Sequence, residues 1–247
     1  MKLNFAVLML ILWLFSFASC NKENAPDIIQ TTGEEIISTR QLDAFFSIEI
    51  SDNIDVTLIQ DSINYVNIAA GKNLIPDIST EVIAEKLSIK NLNNYNFVRS
   101  YKHSIHVFLH YKHISQISYK GSGSIDTENT IKDSVLYFDC YNGTGSVNLQ
   151  LNVHESHFNM HTGQCDLTLS GEVGLNYLYQ AGNGFSNAER LETGYTFITN
   201  NSTNDARINV SKVLYAKINY LGNVYYKGDA YDISTDITDQ GQLIKIN

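Results

Sequence analysis

From Phe46 onward apolar residues alternate with polar ones: Phe46, Ile48 and Ile50, then, after Ser51-Asp52-Asn53, Ile54, Val56 and Leu58. A period of two marks strands with one buried face, and the polar break separates a pair of them. The same habit returns in Tyr65-Val66-Asn67-Ile68-Ala69, Lys86-Leu87-Ser88-Ile89, Ile105-His106-Val107-Phe108-Leu109 and Ile114-Ser115-Gln116-Ile117. Residues 74–83 are partly spaced for a helix, but Pro76 and the β-branched residues predict a turn leading into a strand.

Beyond this the pattern becomes a repeat. Gly121-Ser122-Gly123-Ser124-Ile125 recurs as Gly143-Thr144-Gly145-Ser146-Val147, Gly163-Gln164-Cys165-Asp166-Leu167 and Gly182-Asn183-Gly184, with fainter echoes at Ser202, Gly222 and Gly241. The first positions step by 22, 20, 19, 20, 20 and 19 residues. A repeat of this length without a helix signature predicts a stack of coils, each burying its apolar face against its neighbours. Val147, Leu149, Leu167 and Leu169 are expected inside, Asn148 and Gln150 outside, and glycine is expected at the coil corner. The coil at Gly182 fits worst, with Ser186 and Arg190 at apolar positions, and its frame is expected to shift by one.

Composition agrees with strands and turns: 15 glycines, 15 tyrosines and only 2 prolines in 247 residues, 43% of them hydrophobic. A formal charge of −9 leaves no basic face for nucleic acid or an anionic membrane surface. The amino end nevertheless carries a membrane address. One lysine, Lys2, precedes an apolar run from Phe5 to Phe15, too short and too early for a spanning helix, which predicts a signal peptide over 1–19. It ends in Phe17-Ala18-Ser19-Cys20, which resembles the lipobox of bacterial lipoproteins; that resemblance implies a lipid on Cys20. Asn21-Lys22-Glu23-Asn24 is similar to the signals that send some gram-negative lipoproteins to the outer face of the outer membrane. Residues 20–41 are expected to be a lipidated tether and 42–247 a single domain.

Cys140 and Cys165 lie one coil apart but five positions out of register. That offset is about 16 Å, beyond disulfide reach unless a turn intervenes, so two free, buried thiols are expected. No cofactor or metal is expected: His106 and His110 share a face about 13 Å apart while His103 and His113 flank them at opposite parity, and His154, His157 and His161 are spaced no better. Asp166 and Asp205 share a column two coils apart, about 10 Å, near the spacing of an inverting glycosidase pair. Tyr195 and Tyr215 are also placed in one column, with Tyr225 nearby, as candidate glycan-facing aromatics; packing between coils competes with that reading.

The lipobox, Asn73-Leu74-Ile75 followed by Leu87-Ser88-Ile89, the Ile105-His106-Val107 strand and the glycine ladder from Gly121 together resemble the auto-transporter adhesin, head GIN domain family. The resemblance implies a single-domain, all-β, right-handed parallel β-solenoid, or β-helix, with coils of about 20 residues, and no catalytic residues. The chain departs from the pattern at Ser202, Asn204 and Val224, where glycine is lost. The expectation is a lipid-anchored outer-membrane protein, facing the periplasm or the cell surface, that binds a glycan or a surface protein without chemistry. A carbohydrate-active enzyme, hydrolase or lyase, on the same scaffold and a purely structural envelope protein are the alternatives. The carboxyl-terminal strand, 243–247, has only Lys245 to blunt its edge; it is expected to pair within the domain or to meet a second copy.

Overall fold

The structure, a computed structural model, describes residues 32–93 and 105–247. The expected signal peptide, Cys20 and His103 lie outside the described residues. The strands are β1 (Glu35–Gln41), β2 (Ser47–Asp52), β3 (Asp55–Gln60), β4 (Tyr65–Gly71), β5 (Ile78–Ile83), β6 (Lys86–Asn91), β7 (His106–Tyr111), β8 (Gln116–Gly121) and β9 (Ile125–Thr127). There follow β10 (Val135–Cys140), β11 (Ser146–Met160), β12 (Asp166–Gln180), β13 (Ser186–Asn200), β14 (Ala206–Ile218), β15 (Val224–Lys227), β16 (Asp232–Ile237) and β17 (Leu243–Lys245). A short 3-10 turn over Ile75–Asp77 precedes β5, so 74–83 is a turn into a strand, as its proline predicts.

Hydrogen bonding arranges these strands in two ladders. The first stacks β1, β4, β7, β3, β9, the first halves of β11 to β14, then β15 and β17. The second stacks β5, β6, β2, β8, β10, the second halves of β11 to β14, then β16. The long strands cross from one ladder to the other at a bend where alternation breaks: Val153 and Ser156 face inward, with His154 and Glu155 between them. The architecture is a nearly all-β solenoid of about six turns with coils of about 20 residues. One apolar core fills it, from Phe45 to Val224.

The repeat markers meet at one corner. Gly143 bridges Gly163, and the amides of Thr144, Gln164 and Asn183 donate to the carbonyls of Gly121, Gly143 and Gly163. A Cβ on Gly145 would overlap the Gly123 carbonyl and the Tyr119 hydroxyl, so the close stacking of coils there excludes a side chain. At Ser202, where glycine is lost, the hydroxyl donates to the Gly182 carbonyl at 2.7 Å and the corner continues.

Val147, Leu149, Leu167 and Leu169 are buried and Asn148 and Gln150 exposed, as the alternation predicts. The coil at Gly182 does slip by one. Ala188 and Glu189 together face Leu169 in a β-bulge, which turns Arg190 outward and Leu191 inward. Two expectations need correcting. The stretch assigned to a tether as far as residue 41 is, from Glu35, a strand of the domain; its inward residues include Ser38 and Arg40, so no apolar alternation betrays it. Cys140 and Cys165 are free and buried, but the turn between them closes the 16 Å offset estimated for extended chain. Interaction between the two thiols pushes Cys140 down and Cys165 up, burial adding to the rise at Cys165.

Candidate functional site

The outer face of the second ladder carries a stack of rings. Tyr137, His157, Tyr177, Phe197 and Tyr215 occupy one column, with successive centroids 4.5, 4.5, 5.2 and 6.3 Å apart. Beside it Tyr141 stacks on His161 at 4.3 Å. These rings spend their faces on one another, which ties five coils together along the outside. A stacked ring offers a ligand only its edge.

The three tyrosines singled out as glycan-facing are not brought together. Tyr195 lies opposite Val213, and Tyr215 opposite Phe197, so the two are two residues out of column; register slips between β13 and β14 cause the offset. Tyr225 is on the first ladder, where the Arg207 guanidinium covers its ring at 4.9 Å. Tyr195 remains 39% exposed, at the bend of the long strands.

A groove of about 480 Å³ runs along that bend. One column on its wall reads Asn152, Glu172, Glu192, Asn209 in strict register. The next outward positions are His154, Gly174, Gly194 and Lys212, so two bare glycines leave the trench open, with an imidazole at one end and an ammonium at the other. Leu175, Tyr195 and Val213 follow in the adjoining column, and the Lys212 ammonium lies 5.5 Å from the Tyr195 ring centre. Glu172 and Glu192 are both exposed, one rung and hence about 4.8 Å of backbone apart, with no ion-pair partner among the described residues. The signal for this site was present in the sequence as Glu172-Val173-Gly174 and Glu192-Thr193-Gly194, the same pattern 20 residues apart. It is missed when glycines are read only as corners.

The acid pair weighed from sequence is otherwise engaged. Asp166 Oδ1 accepts the Phe185 amide at 2.9 Å, and Asp205 Oδ1 accepts the Asn223 amide at 2.8 Å. Asp55 does the same for Ser124 at 2.7 Å. Each carboxylate caps the start of the neighbouring coil, and exposed Phe185 stands between the two. The histidines are also occupied: His106 contacts Thr57 at 2.8 Å and stacks on Phe108, His110 contacts Asp61 at 3.0 Å, and His113 contacts Asp133 at 2.9 Å. Among the described residues no three His, Cys, Asp or Glu side chains gather as metal ligands.

The family model described as "Putative auto-transporter adhesin, head GIN domain" matches residues 44–230, most of this two-ladder solenoid. The chain belongs to this family. Several solved structures share the fold. A crystal structure described as a putative adhesin from Bacteroides fragilis superposes with a TM-score of 0.79 at 19% identity, covering 87% of this chain and 99% of that one. One described as a putative lipid binding protein from Parabacteroides distasonis gives 0.68 at 20% identity, covering 87% and 98%. A third, a putative adhesin from Parabacteroides merdae, gives 0.61 at 16%, covering 87% and 97%. At these identities the likeness establishes the fold. No curated protein matches the chain. Membership points to a cell-surface or envelope protein, and among the described residues no helix is long and apolar enough to cross a membrane.

Proposed function

We propose that this head GIN domain is a non-catalytic envelope adhesin that holds a glycan in the groove at the bend, and that lipid on Cys20 anchors it to the outer membrane. The observation that carries the binding reading is the trench itself: a glycine floor and, on its wall, two carboxylates without ion-pair partners among the described residues, with Tyr195 in the adjoining column. Sugar hydroxyls donate well to carboxylates, and C–H faces of a pyranose pack against a tyrosine ring. Lys212 now lies over that ring but is itself exposed, so a sugar can take its place.

Binding is favoured over hydrolysis by the sameness of the two acids. Glycosyl chemistry needs one carboxyl kept protonated by its surroundings and one ionised. Glu172 and Glu192 occupy equivalent positions of successive coils, and both are open to water.

A glycan-array screen of the full chain, followed by calorimetry, tests the reading. Glu172→Gln with Glu192→Gln, and separately Tyr195→Ala, should weaken binding of the best glycan at least tenfold while leaving the melting temperature unchanged. Absence of any glycan hit would overturn the binding reading and leave a structural role. Release of a reducing sugar from the hit would favour the enzyme. For the anchor, a fatty-acid analogue should label the wild-type chain and not Cys20→Ala.

A further inference from the structure

The last coil of the solenoid is built as though another were to follow. Ile233 stacks in register on Leu214, Thr235 on Ala216, Ile237 on Ile218 and Leu243 on Val224. The four residues beneath are fully buried, whereas Ile233 and Ile237 are 40% and 44% exposed. Among the described residues β16 pairs only with β14, and β17 only with β15, so one backbone edge of each is unoccupied. The final strand thus pairs within the domain, and the end it helps to form is open. Such an edge recruits another strand unless it is charged or covered.

We infer that this open end docks on the same end of a second copy, with β16 antiparallel to β16 about Thr235. The residues of β16 select that occupant. An antiparallel edge must set inward residues against inward ones, which permits only registers shifted by two. Centred on Thr235, each Ile233 meets Ile237 of the partner subunit, and Thr235 meets its own copy, so three inward pairs close one apolar seam. Outward, Ser234 faces Asp236 and Asp232 faces Thr238, a hydroxyl against a carboxylate each time. Centred instead on Ser234, Asp232 falls opposite Asp236 twice. Centred on Asp236, that carboxylate meets itself and Ile233 meets Asp239. Like charges directly opposite oppose pairing, so of these three registers only the one centred on Thr235 survives; it is self-complementary and sets the most isoleucine against isoleucine. Because this contact uses the same surface of both copies, the arrangement closes as a two-fold dimer and does not grow into a fibre. The inference does not rest on the groove or on its ligand.

Cysteine cross-linking of the full chain in its own membrane fraction tests it. Thr235→Cys puts two thiols on the two-fold axis, where cross-strand Cβ atoms come within disulfide range. A disulfide-linked dimer should appear under mild oxidation, absent from the wild type and from Ser234→Cys, whose thiols are offset by two residues. Ile237→Asp, introduced beside Thr235→Cys, should reduce the cross-linked fraction at least tenfold; its half-exposed site leaves the monomer folded, checked by an unchanged thermal transition. No dimer from Thr235→Cys would overturn the proposal. So would equal cross-linking at positions 234 and 235, or a dimer indifferent to Ile237→Asp, which would place the contact elsewhere.

Discussion

The two ends of the solenoid solve the same problem differently. At the amino-terminal end both ladders finish with a reversed strand, β1 on β4 and β5 on β6. The inward face of β1 turns polar at Ser38 and Arg40, and the Arg40 guanidinium spans the cross-section. It donates to the carbonyls of Ile75 at 2.8 Å and Ile78 at 2.6 Å and to Thr80 Oγ1 at 3.1 Å, bolting the first ladder to the second. Nearby, Glu49 gathers Lys86, Lys90 and Lys120 from two further strands. At the carboxyl-terminal end the last described coil runs parallel like the others, with isoleucines on the inward face of β16. An array needs a coil whose inward face tolerates water, and here one end has it.

The sharpest way to break the comparison is to cut the stack between its ends. Leu149→Ala, fully inside the middle coils, should cost about 2 to 5 kcal/mol in urea unfolding. A smaller loss would mean that the coils unfold separately. Arg40→Ala should come next, at about 2 to 3 kcal/mol, since it strips two part-buried carbonyls of a charged donor. Hydrogen exchange should then rise first in β1 and β5; if it rises evenly along the stack, Arg40 is not a cap.

A smaller effect separates the ends by pH. The hydrogen bond from Lys86, with Lys90 and Lys120 behind it, holds the Glu49 carboxyl at about 2 from an ordinary 4.5, against the opposing pull of burial. A folded-state value below the unfolded one means that Glu49 stabilises fully above about pH 4.5 and loses this as pH falls toward 2. Urea midpoints of Glu49→Gln should therefore approach those of the wild type on acidification through that window; a constant difference would rule out the linkage. Least of all, Ile237→Ala should change monomer stability by less than about 1 kcal/mol, because the side chain is only half covered. A loss as large as that at Leu149 would show that the open end is covered in solution.

The stack and its core could be foreseen because the signals are local. Alternation assigns Val147, Leu149, Leu167 and Leu169 to the inside whatever their neighbours do, and a recurrence of about 20 residues needs only one coil laid on another. Even the slip near Arg190 showed as an apolar column gone polar. What tertiary structure alone decided is lateral and angular. Register slips between β13 and β14 accumulate across strands, so Tyr195 and Tyr215 part company although their spacing of 20 matches the repeat. A tight corner brings Cys140 to Cys165 although extended geometry holds them apart, because reach along the chain ignores the direction of a turn. The reversal that makes β1 a cap, and the bend that turns two Glu-x-Gly triplets into one trench, depend on how separate coils face each other. Spacing along one chain carries no record of that.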